Sequence, residues 1–264
     1  MTVAEALRSL EPREARLLLA AATGFSEASV LAHPERELPA RAEAQFLAFA
    51  ARRARGEPIA YILGEKEFYG LALAVTPAVL IPRPETELLV ELGLACAPAS
   101  VLDLGTGSGA IALVLKRQLP HARVVAVEAS AAALAVARRN AARLGLDVDF
   151  RHGRWFAPVD GERFDLVLSN PPYVAEGDPH LAQDDLRFEP REALIGGGDG
   201  LDAIREIIRS APAHLKPGGR LLLEHGLGQD AAVKSLLVEA GLEGVMTWPD
   251  LAGIARVTGG RLKS

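Results

Sequence analysis

From Ser100 onward the chain alternates between two kinds of apolar segment. Short continuous runs (SVLDL, RVVAVE, FDLVLS, RLLLE) are separated by longer stretches such as GAIALVLKRQL, ASAAALAVARRNAARL and LDAIREIIRSAPAHL, whose apolar residues recur every three or four positions. A run that is apolar on both faces has to be covered on both. Strands and helices in strict alternation fold as a parallel sheet with helices on each side. VDFRHG adds a further strand, and the tail GLEGVMTWPDLAGIARVTGG holds two β-prone runs around a turn-rich WPDLAG, an antiparallel pair at one edge. The expectation is an α/β fold, with a Rossmann-like, mostly parallel seven-stranded sheet.

The first 58 residues have a different texture. Pro12 sits where a first helical turn tolerates proline, Gly24 follows the apolar run as a stop, and Ser26 is placed to cap the next helix. RAEAQFLAFAARRARG is helical in spacing and ends on arginines, which complement a helix C-terminus. PIAYILGEKEFYGLALAV offers short β-prone runs around Gly64 and Gly70, read as a hairpin linker. The division is therefore a small helical N-terminal domain over 1–75 and a sheet domain over 76–264.

Composition excludes several classes. Net charge is −5, so bulk charge does not attract a polyanion. The single cysteine, Cys96, cannot close an internal disulfide, and none of the six histidines has an i/i+4 histidine or a cysteine partner. No structural metal site is expected. No apolar run reaches the length of a membrane span, and the N-terminus lacks a signal-peptide core. The expectation is a cytoplasmic protein away from membranes.

The glycine loop VLDLGTGSGA places Gly105, Gly107 and Gly109 just past the first core strand. Doubly wound sheets bind nucleotides at that position, and glycine lets a ligand approach the backbone closely. The loop also satisfies G-x-G-x-x-A, so by itself it allows a dinucleotide. Glu128 ends the second strand about twenty residues on, where a carboxylate accepts both hydroxyls of a ribose. Asp103, immediately before the turn, would crowd a pyrophosphate. It suits a ligand carrying cationic groups, such as a sulfonium and an amine, and can also brace the loop backbone. Trp155, in HGRWF after the third strand, is a candidate wall for an adenine ring.

The fourth strand of the alternation, FDLVLS, runs into Asn170-Pro171-Pro172-Tyr173. In a sheet of this order that strand neighbours the first, so Asn170 emerges beside the glycine loop. The Asn170 side-chain oxygen and a backbone carbonyl of the Asn-Pro-Pro run can accept both hydrogens of an NH2 group, and neither proline donates in competition. Accepting both orients the nitrogen as a nucleophile without a separate base. Tyr173 can pack on a flat amide, where its ring face favours a developing cation. The span 174–200 that follows is long and irregular, as binding loops often are.

These segments, LDLGTGSGAIAL, AVEAS, LVLSNPPYV and HLKPGGRLLLEHG, resemble the class I S-adenosylmethionine-dependent methyltransferases. IPRPETELLVE before the glycine strand, FEPREALIGGGDGL after Asn-Pro-Pro-Tyr, and the helical N-terminal domain extend the resemblance over nearly the full length to the bacterial peptide chain release factor glutamine methyltransferases. The resemblance implies S-adenosyl-L-methionine as cofactor, S-adenosyl-L-homocysteine as product, and a substrate glutamine in the Gly-Gly-Gln loop of class 1 release factors, methylated on its amide nitrogen. It places the methyl-donor loop on Gly105, Thr106, Gly107, Ser108 and Gly109, the ribose acid on Glu128 (where the family commonly has aspartate), the adenine-side aromatic on Trp155, and the amide-binding tetrad on Asn170, Pro171, Pro172 and Tyr173. It implies that the helical domain helps hold the protein partner. Arg83, Glu85 and Thr86 match the family's PRPETE segment without a derivable task. The expected state is a monomer.

Three other readings compete. An adenine N6-methyltransferase on DNA or RNA also presents an NH2 group, but must flip its base and grip phosphates. Residues 1–75 hold nine Lys/Arg against ten Asp/Glu, about −1 overall, a poor phosphate clamp. A nicotinamide oxidoreductase would need a hydride-transfer acid, and leaves Asn-Pro-Pro-Tyr without work. A non-catalytic binding module would not need both the glycine loop and the tetrad.

Overall fold

The computed structural model describes residues 1–182 and 184–264. The chain divides into two compact units. One comprises Met1–Glu65 with Ala182–Phe188, the other Lys66–Leu181 with Glu189–Ser264.

The smaller unit is helical: α1 (Val3–Leu7), α2 (Pro12–Thr23), α3 (Glu27–Ala32), α4 (Ala40–Ala54) and α5 (Ile59–Leu63). Its boundaries follow local chemistry. Glu11 caps α2 by accepting the N–H groups of Arg13 and Glu14, each at 3.0 Å. Gly24, at φ 74°, ends it. Ser26 caps α3 through the Ser29 N–H at 3.2 Å. Leu18, Leu19, Val30, Phe46 and Ile62 form its core. The β-prone run IAYIL is helical rather than extended. Pro58 starts it, Gly64 at φ 74° stops it, and the Arg52 guanidinium donates to the Tyr61 and Ile62 carbonyls at 3.2 and 3.3 Å, the orphan acceptors of its last turn. Within this unit Arg53 pairs with Glu14 and Asp185, and Arg187 donates to the Arg55 carbonyl at 2.6 Å.

The hairpin β1 (Glu65–Phe68) and β2 (Leu71–Ala74) carries the chain from the smaller unit into the larger one, which holds all of it but Glu65. Tyr69 and Gly70 both have positive φ at its turn, the geometry a two-residue hairpin loop requires. After α6 (Thr86–Ala95) come β3 (Ser100–Leu104), α7 (Ala110–Gln118), β4 (Arg123–Glu128), α8 (Ala131–Leu144), β5 (Asp149–His152) and β6 (Phe164–Ser169). Then follow α9 (Asp202–His214), β7 (Leu215–Glu224), α10 (Asp230–Glu239), β8 (Glu243–Pro249) and β9 (Ala255–Arg261). The seven strands run in the order β5-β4-β3-β6-β7-β9-β8. The first five are parallel, while β9 pairs antiparallel with both β7 and β8. The Rossmann-like sheet and its antiparallel edge are those the alternation predicts. Helix α10 was not foreseen between the last parallel strand and the tail.

Strand β3 is buried along its whole length. Successive side chains alternate between faces. Val101 enters the core with Leu89, Val90, Leu113 and the hairpin residues Phe68, Leu71 and Leu73. Leu102 and Leu104 enter the opposite core with Ile204, Ile207, Val233 and Leu237. From β3 the chain proceeds to β4 on one side and later returns to β6 on the other. The carboxyl ends of β3, β4 and β6 therefore surround a topological switch point, where α/β sheets bind ligands. Among the described residues no helix is long and apolar enough to cross a membrane.

Candidate active site

A cavity of about 760 Å³ opens at that switch point, entirely within the larger unit. Gly105, Gly107, Glu128, Trp155, Asn170 and Pro172 all line it. Strands far apart in sequence thus bring four predicted segments to one wall. Asp103, Thr106, Ser108, Gly109, Pro171 and Tyr173 are not part of that lining and stand behind it.

The glycine loop is held from both sides. The N–H groups of Gly105 and Thr106 both donate to the Val127 carbonyl, at 2.9 and 3.1 Å. Gly105, Gly107 and Gly109 all adopt positive φ, which a side chain would make costly. At Gly109 there is a second reason, since a Cβ would lie 3.0 Å from Leu113 and 3.3 Å from Ala137. Asn140, wholly buried on α8, donates to the Ser108 carbonyl at 2.9 Å and makes two bonds to the Ala74 backbone. The hairpin is thereby fastened to the loop.

Asp103 is also wholly buried. Its Oδ2 accepts the Thr106 hydroxyl at 2.6 Å, while Oδ1 has no partner among the described residues. Burial pushes its pKa up to about 7, against the Thr106 hydrogen bond that lowers it. Of the two tasks expected of this residue, bracing the loop is the one this geometry displays. Glu128 does face the cavity. Its Oε2 accepts the Gly107 N–H at 2.8 Å and its Oε1 the Ser130 N–H at 2.9 Å. Each oxygen keeps lone-pair capacity for a further donor, such as a sugar hydroxyl.

Trp155 has φ 47°, a left-handed conformation that a bulky residue rarely adopts and that marks functional sites. It brings the ring against the loop, so that a Cβ on Gly105 would be 3.5 Å from Trp155 Cζ3. Arg154 lies over the other part of this wall, 5.4 Å from the ring centroid, and pairs with Glu206 at 2.5 Å.

At the end of β6, the Asn170 side-chain nitrogen donates to the Thr86 hydroxyl at 3.0 Å. That bond commits the nitrogen and leaves Oδ1 as the free acceptor of a residue that lines the cavity. Tyr173 is anchored twice. Its hydroxyl donates to Glu224 Oε1 at 3.2 Å, and its carbonyl accepts from Gln229 Nε2 at 3.0 Å. The IGGGDG segment folds directly onto the tetrad's backbone. A Cβ on Gly196 would come within 2.5 Å of the Pro172 carbonyl oxygen, and one on Gly200 would collide with the Tyr173 carbonyl. The irregular span rejoins the site here, where Val174 forms a parallel bridge to Ile195.

Sequence reasoning missed several wall residues, among them Val79, Ser130, Glu192 and Asp202. It also missed the supports. Arg83 is paired with Glu189, whose side chain is fully buried and also accepts the Ile81 N–H at 3.0 Å. The matched motifs PRPETE and FEPRE, about a hundred residues apart, were the available signal. Their pairing was not written in either one.

A fit for a nucleoside-bearing donor follows from these observations. The cavity has the volume of a small-ligand site. Its walls offer an acidic acceptor pair, an aromatic face and a side-chain-free loop. Comparison with known proteins agrees. The family "Methyltransferase small domain" matches residues 84–199, and "PrmC N-terminal domain" matches residues 3–64. A solved T. thermophilus 16S rRNA methyltransferase in complex with AdoMet and guanosine is 25% identical, with TM-score 0.57 over 75% of this chain and 50% of its own. A Pyrococcus furiosus methyltransferase shares the fold at TM-score 0.58 and 19% identity, over 81% of this chain and 98% of its own. The release factor glutamine methyltransferase of Burkholderia pseudomallei is 53% identical over 99% of this chain and 96% of its own. That of Neisseria gonorrhoeae is 49% identical over 97% and 95%. With half its residues shared along nearly its whole length, and both halves matched in order, the chain belongs to the release factor glutamine methyltransferase family.

Proposed function

We propose that this chain methylates the side-chain amide nitrogen of the glutamine in the Gly-Gly-Gln motif of class 1 peptide chain release factors. S-adenosyl-L-methionine is the donor and S-adenosyl-L-homocysteine the product. The observation that carries this reading is the Asn170 amide, which lines the cavity beside the glycine loop and whose nitrogen is committed to Thr86 at 3.0 Å, leaving its oxygen as the free acceptor.

The donor supplies a methyl group on a positively charged sulfur. The chain's own residues supply position. The Asn170 oxygen and a backbone carbonyl of Asn170-Pro171-Pro172 accept the two amide hydrogens and fix the direction of the nitrogen's approach. Pro172 limits the tilt of the flat amide, and Tyr173, behind the lining and tied to Glu224 and Gln229, holds the tetrad's backbone in place. The proton lost from nitrogen leaves after transfer, so no strong base is required. Glu128 holds the ribose, Trp155 lies along the adenine, and Gly105–Gly109 accommodate the rest of the donor, with Asp103 keeping that loop in shape. The helical N-terminal domain, residues 1–75 as read from the sequence, holds the protein substrate. The enzyme works as a cytoplasmic monomer on protein rather than nucleic acid, a reading supported by the net charge of −5.

The test is transfer of labelled methyl from S-adenosyl-L-methionine to a class 1 release factor, beside a copy with the loop glutamine changed to alanine. Label on the first alone is expected. Label on neither, with label on added DNA or RNA, would mean that the tetrad grips an adenine amine.

A further inference from the structure

Outside the cavity lining, one side chain joins three separate stretches of backbone around the tetrad. Gln229 is a half-buried residue immediately before α10. Its Oε1 accepts the Gly226 N–H at 2.8 Å. Its Nε2 donates to the Tyr173 carbonyl at 3.0 Å and makes a longer bond to the Asp199 carbonyl at 3.5 Å. A side-chain amide has one accepting and one donating end. Here both ends are directed at main-chain groups, in the loop after β7, at the end of the tetrad and in the glycine-rich run of residues 195–200. The space around the amide is filled. A Cβ on Gly226 would come 3.1 Å from Gln229 Oε1 and 3.3 Å from Tyr173 Cδ2, and one on Gly200 would come 2.8 Å from Gln229 Nε2.

Gly226 is itself held from the sheet. A carbonyl can only accept, so His225 Nδ1 donates to the Gly226 carbonyl at 3.0 Å, while His225 Nε2 lies 2.8 Å from the Thr258 hydroxyl of β9. His225 and Thr258 are wholly buried. A chain of hydrogen bonds therefore runs from β9 through Gly226 and Gln229 to the Tyr173 carbonyl.

We propose that Gln229 is a positioning residue for methyl transfer, whose donor end fixes the Tyr173 carbonyl and with it the course of the Pro171-Pro172 backbone. The inference rests on the amide-transfer reading above and deepens it. Two consecutive prolines have no N–H with which to anchor their own backbone. The run is held at its ends instead. At one end the Asn170 nitrogen is tied to Thr86, and at the other the Tyr173 carbonyl is tied to Gln229 and the Val174 N–H to the Leu194 carbonyl. On the proposed mechanism the Asn170 oxygen and a carbonyl of this run meet two hydrogens on one nitrogen. A small rotation of the run disturbs both bonds, and with them the line of attack. Gln229 does not line the cavity, so its effect falls on transfer rather than on donor affinity.

The experiment is steady-state methyl transfer to a class 1 release factor at about pH 8, where a carboxyl is charged, by the full chain and its Gln229→Glu and Gln229→Met variants. Donor Kd is measured alongside by calorimetry. The two substitutions separate the ends of the amide. Gln229→Glu keeps an acceptor for the Gly226 N–H but has no hydrogen for the Tyr173 carbonyl, whereas Gln229→Met keeps the length and loses both bonds. An acid immediately before a helix suits the helix dipole, so Gln229→Glu should fold. Both variants should lower kcat about tenfold or more, with donor Kd and the release-factor KM within about twofold of the unchanged chain's. Full kcat in Gln229→Glu would mean that only the Gly226 bond counts, and overturns the clamp. A loss confined to KM or to donor Kd overturns it as well. If Gln229→Met does not fold, Gln229→Glu decides alone. An unchanged chain that methylates no glutamine overturns the amide-transfer reading and the clamp together, whereas an active one with an equally active Gln229→Glu overturns only the clamp.

Discussion

Arg83 and Glu189 form an ion pair in which the carboxylate is fully buried and the guanidinium is part-exposed. Glu189 also takes the Ile81 N–H, so one side chain ties the segment before α6 to the segment that closes the cavity at Pro190 and Glu192. This is the task that the PRPETE arginine lacked when read from sequence alone.

Removing one partner of such a pair leaves the other as an uncompensated buried charge. Arg83→Met should therefore destabilise the chain by about 3 kcal/mol, well above the effect of losing an exposed ion pair. Chemical denaturation measures it. A change below about 0.5 kcal/mol, the level of an ordinary surface substitution, would show that Glu189 finds another partner.

Glu128 joins the cavity wall to the loop, because the same residue that lines the cavity also holds the Gly107 and Ser130 N–H groups. Glu128→Ala should weaken S-adenosyl-L-methionine binding about tenfold or more, since a charge-assisted hydrogen bond contributes about 1.5–3 kcal/mol. Calorimetric titration reads it directly, and an unchanged Kd removes Glu128 from the donor site.

For Asn170 the expectation is the opposite division. Its nitrogen is held by Thr86, and on the proposed mechanism its oxygen is the acceptor for the substrate amide. Asn170→Ala should abolish methyl transfer, by a factor of about a hundred or more, while donor Kd changes little. Strong loss of donor affinity would place this residue on the donor instead.

What could be read from the chain before folding was what local chemistry controls. Apolar runs alternating with helical periods announced the parallel sheet, Gly24 and Ser26 announced helix ends, and Gly105, Glu128, Trp155 and Asn170 announced the residues that share the cavity. The failures were of two kinds. IAYIL has strand-forming residues, but Pro58, Gly64 and the Arg52 guanidinium make it a helix, a tertiary override of propensity. Thr86 with Asn170, and Arg83 with Glu189, are partners 84 and 106 residues apart. No periodicity carries such a pairing. The excursion Ala182–Phe188 into the helical unit is likewise non-local.

Asp103 carries a prediction about pH. Buried without charge compensation, it keeps its proton up to about pH 7, whereas in the unfolded chain it releases it near 3.8. Between those values the native state binds more protons than the unfolded state, so its contribution to stability is complete below pH 3.8 and is lost as pH rises through 7. Glu224 titrates in the same direction. The ligand-free chain should therefore lose stability from pH 5 to pH 7.5, with a slope of up to about 1.4 kcal/mol per pH unit from each group. Asp103→Asn retains an acceptor for the Thr106 hydroxyl but cannot titrate. Its denaturation midpoint should fall less steeply over the same range. Parallel slopes for the two proteins would mean that Asp103 is already charged in the folded state, and that a positive group or water reaches Oδ1.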